Sequence, residues 1–282
     1  MSERLPVADA SAEELDAHLV SLVTPAAFEA EQYRALRHKI EHLHRTVGLK
    51  VIAVSSPGMG DGKTVTAINL AGSLAQAPDA RVLLIDADLR RPAVARLLSL
   101  DNTSGGLVSA ILDPEMPFDT FIEEAPPFNL SVITAGQMPP SPYEVLRSPR
   151  LGELLEAARA QYDFIIVDTP PLTPIQDCRV IGQWVDGFLV VLAANRTPRR
   201  LLEDALTALD QTKVIGIVFN EDEPTMSRHY AKYGAYYLPS GTPPNEASRG
   251  ALGRVVSKVG DSLRRQPGRL PGMRGRFRKG KR

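Results

Sequence analysis

The sequence predicts an α/β protein built on a doubly wound, mainly parallel sheet with helices on both faces. Three observations carry that prediction. Short runs of β-branched and apolar residues alternate with segments of helix length, the order that lays parallel strands beside one another with crossover helices between them. Most of those runs are apolar at nearly every position, as in strands covered on both faces. Directly after the first run comes Ser56-Pro57-Gly58-Met59-Gly60-Asp61-Gly62-Lys63-Thr64, a glycine-rich phosphate loop. Together these describe the P-loop NTPase fold, whose ligand sits at the carboxyl ends of the strands.

Taken in order, residues 1–27 are mixed in composition and read as a loosely held, flexible segment, followed by a helix over Phe28–Thr46. Strands are expected at Val51–Ser55, Arg81–Asp86, Leu130–Thr134, Phe164–Asp168, Phe188–Ala193 and Val214–Asn220. Helices are expected at Thr64–Ala77, Pro149–Gln161 and Arg199–Thr212. Residues 28–238 thus form one P-loop domain. Residues 239–282 form a Pro/Gly/Arg-rich tail that reads as disordered from Gln266.

Composition narrows the setting. The chain has 282 residues, 43% of them hydrophobic, enough for one sizeable core. A single cysteine, Cys178, excludes a disulfide framework and a Cys-based zinc site, and points to a reducing cytosol. No apolar run of about 18 residues is present, and Met1–Ala10 does not read as a signal peptide. The net charge of zero hides an asymmetry. Residues 241–282 hold twelve Lys/Arg against Glu246 and Asp261, a surplus of ten positive charges that the acidic body balances.

The phosphate loop supplies the first candidate site. Glycines at 58, 60 and 62 let the backbone curl until its N–H groups surround a β-phosphate. The nucleotide-binding set is therefore Gly58, Met59, Gly60, Asp61, Gly62, Lys63, Thr64 and Val65. Lys63 brings a mobile positive charge to the β/γ-phosphates, and Thr64 places a hydroxyl for Mg²⁺ at a helix N-terminus. Pro57 stands where Gly or Ala is usual. The expected ligands are ATP and Mg²⁺.

Two strand ends offer acids to complete the site. Leu83-Leu84-Ile85 runs into Asp86-Ala87-Asp88, and Phe164-Ile165-Ile166-Val167 into Asp168-Thr169-Pro170-Pro171. An ionised Asp at the end of an apolar strand is costly unless a cation or hydrogen bonds compensate it. Each could instead cap the turn that follows.

These residues bring a family into view. Asp86-Ala87-Asp88-Leu89-Arg90-Arg91-Pro92 resembles the extra acidic motif of bacterial tyrosine kinases (BY-kinases), the group tied to capsule and exopolysaccharide export. The resemblance covers roughly 20–237. It includes Glu31-Gln32-Tyr33-Arg34-Ala35-Leu36-Arg37, Asp168-Thr169-Pro170-Pro171 and Gly216-Ile217-Val218-Phe219-Asn220. It implies that Lys63, Asp86, Asp88 and Asp168 are catalytic. Asp86 would activate the tyrosine hydroxyl, while Thr64, Asp88 and Asp168 would act on the metal. Asn220 matches a position used against the adenine base.

The same resemblance assigns the first helix. Glu31, Arg34 and Arg37 share one side of it, a pattern that serves equally as a solvated salt-bridging face. In the family, Glu-x-x-Arg-x-x-Arg joins subunits in a ring, so a homo-oligomer is expected and 28–238 becomes a kinase/ATPase domain with an oligomerisation helix. Tyr230, Tyr233, Tyr236 and Tyr237, four of seven tyrosines, fall where these kinases autophosphorylate, although an aromatic packing patch would look the same. The cluster is sparse, and 45 residues follow it rather than the few usual in the family.

In that extension, apolar residues at helical spacing interleaved with Arg and Lys suggest an amphipathic helix over 249–265. Such a basic tail suits an anionic membrane surface, though it is also what a merely solvated tail looks like. No nucleic-acid motif accompanies it. The expected function is an ATP-dependent protein-tyrosine autokinase regulating exopolysaccharide or capsule polymerisation and export. It would be cytoplasmic and peripheral at the inner membrane face, beside a membrane polysaccharide co-polymerase whose cytoplasmic segment activates it. The alternative is a positioning ATPase of the chromosome- and division-site class acting at membrane or nucleoid. Against it, Gly58 occupies the place of that class's signature lysine.

Overall fold

The computed structural model describes residues 15–221 apart from Asn102 and Ile175. Its helices are α1 (Val20–Val23), α2 (Phe28–Val47), α3 (Lys63–Ala75), α4 (Val94–Leu97), α5 (Gly106–Leu112), α6 (Pro142–Leu146), α7 (Pro149–Gln161), α8 (Asp177–Ile181) and α9 (Arg199–Ala208). Its strands are β1 (Val51–Ser55), β2 (Val82–Asp86), β3 (Glu123–Glu124), β4 (Ser131–Ile133), β5 (Phe164–Asp168), β6 (Gly187–Ala193) and β7 (Val214–Asn220). They form a sheet in the order β3-β4-β2-β5-β1-β6-β7. Every pairing is parallel except β3 against β4.

The all-apolar strands are buried along their whole length, as their composition requires. Alternate residues feed two cores. Ile52, Val54, Leu84, Ile166, Leu189 and Val191 face one side, under α1 to α4. Ala53, Leu83, Ile85, Ile165, Val167 and Val190 face the other, under α5 to α9. Each fully buried Leu, Ile or Val contributes about 1.5–3 kcal/mol relative to exposure, so both layers are fixed to the sheet. The doubly wound architecture follows from this two-sided burial.

Local signals set the ends. Gly48 takes the left-handed conformation that stops α2, with φ 73°. Ser148 accepts from the Arg150 N–H and Pro149 opens α7. β7 buries only alternate residues, as suits an edge strand.

Two differences from the sequence reading stand out. The two-residue strand β3 has no apolar run and exists because β4 offers it a partner. The larger correction concerns the segment read as loosely held: its described part, 15–27, is folded onto α3. Leu19 is fully buried, and Leu22 lies against Gly72, where an added Cβ would come within 2.5 Å of Leu22 Cδ2. Asn69, fully buried in α3, accepts from the Ser21 N–H at 2.8 Å and donates to the His18 carbonyl at 2.8 Å. Gln76 donates to the Ser21 carbonyl at 2.9 Å. A buried side-chain amide, Asn69, paired with backbone groups and seconded by Gln76 at the rim, is the reason a polar, mixed-composition strap holds its place.

Candidate active site

The strand order puts the candidate acids together. β5 lies between β1 and β2, and in that register Asp86 stands directly across from Asp168, while Val54 pairs Asp168 from the other side. The phosphate loop leaves the same end of β1 and delivers Lys63 as the first residue of α3. Pairing of three buried strands thus converts two distant sequence positions into one acidic cluster beside the loop.

Lys63 lies within that cluster. Its ammonium is 2.8 Å from Asp88 Oδ2 and 3.4 Å from each Asp168 oxygen, and it donates to Thr64 Oγ1 at 3.1 Å. The Thr64 hydroxyl donates to Asp168 Oδ2 at 2.7 Å. Burial and the charge of Asp168 push the Asp86 carboxyl up to about 7, against its own backbone hydrogen bonds and Lys63. Burial likewise raises Asp168 to about 6, opposed chiefly by Lys63 and Thr64. For Lys63 itself, burial lowers its pKa, but the charges of Asp168 and Asp88 outweigh this and hold it above the usual lysine value. Three carboxylates against one ammonium leave a deficit of positive charge.

That deficit and the hard oxygen donors fit Mg²⁺ with Thr64, Asp88 and Asp168 as ligands. Among the described residues, no group of three or more His, Cys, Asp or Glu is disposed to hold a metal by itself. A cation here would therefore rely on hydroxyl, phosphate and water oxygens as well.

The loop's geometry explains its residues. Gly62 has φ 90°, and an added Cβ would lie 1.9 Å from Asn220 Nδ2, so both backbone and space demand glycine. Asn220, at the end of β7, donates to the Asp61 carbonyl at 3.1 Å. Pro57 is buried with its carbonyl accepting from the Thr173 hydroxyl at 2.6 Å. Met59 is exposed.

Comparison with known proteins separates the functions this fold can host. An AAA domain family model matches residues 49–178. Tyrosine-protein kinase YwqD of Bacillus subtilis is 33% identical over 77% of this chain and 91% of its own length. The chain belongs to the bacterial tyrosine-kinase family. The solved kinase domain of the Escherichia coli tyrosine kinase ETK is 30% identical and superposes with TM-score 0.65 over 76% of this chain and 79% of that one. The succinoglycan biosynthesis transport protein ExoP of Rhizobium meliloti is 28% identical over 79% of this chain, which spans 30% of that longer protein.

As a tyrosine-kinase family member, the chain places its acidic motif in a defined way. Asp86 Oδ1 accepts from the Asp88 N–H, and Oδ2 from the N–H groups of Ala93 and Val94, all at 3.1 Å. Asp88 Oδ1 accepts from the Arg91 N–H at 3.1 Å. Both acids therefore also shape the turn they begin, the capping geometry weighed from sequence. Arg90 closes the loop from outside through a bidentate pair with the buried Asp177, at 2.7 and 3.1 Å.

The oligomerisation residues sit apart from this cluster, on α2. Glu31 pairs with Arg34, which also reaches the Pro25 carbonyl. Arg37 bonds Glu41 at 2.6 Å and the Ser73 carbonyl of α3 at 2.8 Å. Tyr230, Tyr233, Tyr236, Tyr237 and the tail over 239–282, with its amphipathic stretch 249–265, lie outside the described residues.

Sequence reasoning missed Asn69, Asp177 and Thr197. Thr66, Asn69 and Ser73, polar residues at helical spacing within the apolar run of α3, were a usable signal for the first. Nothing local distinguishes the other two.

Proposed function

We propose that the protein is an ATP-dependent protein-tyrosine autokinase that regulates exopolysaccharide or capsule polymerisation and export. The observation that carries this reading is the Lys63 ammonium held among Asp88, Asp168 and Thr64 beside a phosphate loop, with Asp86 directly across from Asp168. The likeness to tyrosine kinases and to a succinoglycan biosynthesis transport protein supports it.

In this reading the backbone N–H groups of residues 58–65 and the Lys63 ammonium bind the triphosphate. Asn220, which donates to the Asp61 carbonyl, would meet the adenine base. Thr64, Asp88 and Asp168 would hold Mg²⁺, which when bound neutralises charge on the phosphoryl group in transfer. Lys63 exchanges its carboxylate partners for phosphate oxygens. Asp86 accepts the tyrosine proton: its pKa near 7 suits a base at neutral pH, and Oδ1 takes a single N–H bond, leaving a lone pair free. Asp86 is fully buried here, so the acceptor hydroxyl reaches it only when the neighbouring loop admits it.

The tyrosines at 230, 233, 236 and 237 would be the phosphoacceptors. Glu31, Arg34 and Arg37 would join subunits in a homo-oligomer, and a membrane polysaccharide co-polymerase would supply the activating segment. The basic tail would hold the protein at the inner membrane face. The positioning-ATPase alternative gains nothing from the loop, where a Cβ on Gly58 would meet Leu201 Cδ2 at 3.1 Å. Phosphotyrosine mapping after incubation with Mg-ATP, with Lys63→Met as control, tests the proposal. Robust hydrolysis without phosphotyrosine, with the co-polymerase segment supplied, would favour the alternative.

A further inference from the structure

An acidic residue inside a loop that must receive a triphosphate needs an explanation. Asp61 lies between the glycines of the phosphate loop and is 5% exposed. Its carboxylate is turned inward and is held at both oxygens. Oδ2 accepts from the Gly58 N–H at 3.1 Å, and Oδ1 accepts from the Thr197 hydroxyl at 2.8 Å. Thr197 lies between β6 and α9 and has no other sequence relation to the loop. Its hydroxyl hydrogen goes to Asp61, while its oxygen accepts from the Ala193 N–H at 2.9 Å. The Thr197 N–H in turn donates to the Ala193 carbonyl at 3.0 Å. The hydroxyl is thus aimed by the last residue of a fully buried strand.

We infer that Thr197 is a positioning residue for nucleotide binding, acting through the Asp61 carboxylate to set the phosphate loop. This rests on the reading that the loop binds a nucleotide. Two donors stabilise the carboxylate and keep it beneath the loop, where it pins the Gly58 N–H and draws the first half of the loop toward β6. Neighbouring contacts grip the same stretch: Arg196 reaches the Gly60 carbonyl and pairs with Glu221, and Asn220 holds the Asp61 carbonyl. Loss of the Thr197 hydroxyl leaves the carboxylate a donor short and the Ala193 N–H without its acceptor. The carboxylate then turns toward solvent, releases Gly58, and stands as an uncompensated anion beside the phosphates.

Thr197→Val keeps the side chain's shape and deletes only the hydroxyl. Equilibrium binding of a fluorescent ATP analogue with Mg²⁺, measured on the full chain, should weaken about tenfold, the scale of one hydrogen bond to a charged group. The KM for ATP in autophosphorylation should rise in parallel while the saturated rate changes by less than about twofold. Thr197→Ser, which retains the hydroxyl, should restore wild-type affinity. In an Asp61→Ala background, Thr197→Val should cost no further affinity, because both act through one contact. That comparison severs the contact from the loop side. Unchanged affinity in Thr197→Val, an equal loss in the Asp61→Ala background, or failure of Thr197→Ser to restore binding would overturn the inference. Wild-type protein that binds no nucleotide would instead overturn the reading beneath it.

Discussion

Truncating Asn69 to alanine tests whether the N-terminal strap is a built part of the domain. The side chain is fully buried and makes three hydrogen bonds: to the Ser21 N–H at 2.8 Å, the His18 carbonyl at 2.8 Å and the Val65 carbonyl at 3.0 Å. These bonds are not equivalent. Val65 lies in the first turn of α3, so its carbonyl keeps its place in the helical ladder. His18 has an exposed side chain, and its carbonyl can turn to water. Ser21 is buried, and its N–H would be orphaned at about 1–3 kcal/mol. With a small cavity added, Asn69→Ala should cost about 2–4 kcal/mol in urea unfolding. That is a sizeable share of the roughly 5–15 kcal/mol that holds a domain together.

The loss should also be local. Among the described residues, Gln76 would then be the side chain still holding Ser21, so limited proteolysis should cut the strap between residues 15 and 27 faster than in wild type. Asn69→Asp should cost more, because it replaces two donor contacts by a buried charge facing two carbonyls. A loss below about 0.5 kcal/mol for Asn69→Ala, with unchanged proteolysis, would refute this account of the strap.

Three further outcomes concern the helix α2, the basic tail and the acidic cluster. Arg34→Ala with Arg37→Ala should give a monomer in light scattering where the wild type is larger, and an unchanged mass would count against the proposed interface. Deleting Glu246–Arg282 should abolish sedimentation with anionic liposomes, and full retention would remove the membrane role. Without nucleotide or metal, the raised Asp86 and Asp168 make the native state bind more protons than the unfolded chain between the ordinary carboxylate value and about 7. Their contribution to stability therefore falls as pH rises through that window, and Asp86→Asn should flatten the decline by up to about 1.4 kcal/mol per pH unit. Parallel pH profiles for the two proteins would show that Asp86 does not titrate there.

Much of the architecture was legible because burial leaves a mark in composition. β1, β2 and β5 read as continuous apolar runs and are buried throughout. The phosphate loop was legible because Gly62 has no substitute under Asn220. What stayed hidden depends on pairing across distance. β3 is set by its partner strand, and the strap by Asn69, Gln76 and Gly72 on another helix. Sequence placed Asp86, Asp88 and Asp168 in one site but could not show that Asp86 also anchors the turn to Ala93 and Val94. Arg37 looked free for a partner subunit, yet it also bonds Ser73 of its own chain.

In the proposed function, this acidic cluster and phosphate loop transfer phosphate to tyrosine. The decisive measurement is mass-spectrometric mapping of the 282-residue chain after incubation with Mg-ATP and the co-polymerase's cytoplasmic segment. Phosphotyrosine is expected among Tyr230, Tyr233, Tyr236 and Tyr237 in the wild type and none in Lys63→Met. ATP turnover with those tyrosines unmodified, or equal modification in Lys63→Met, would contradict it.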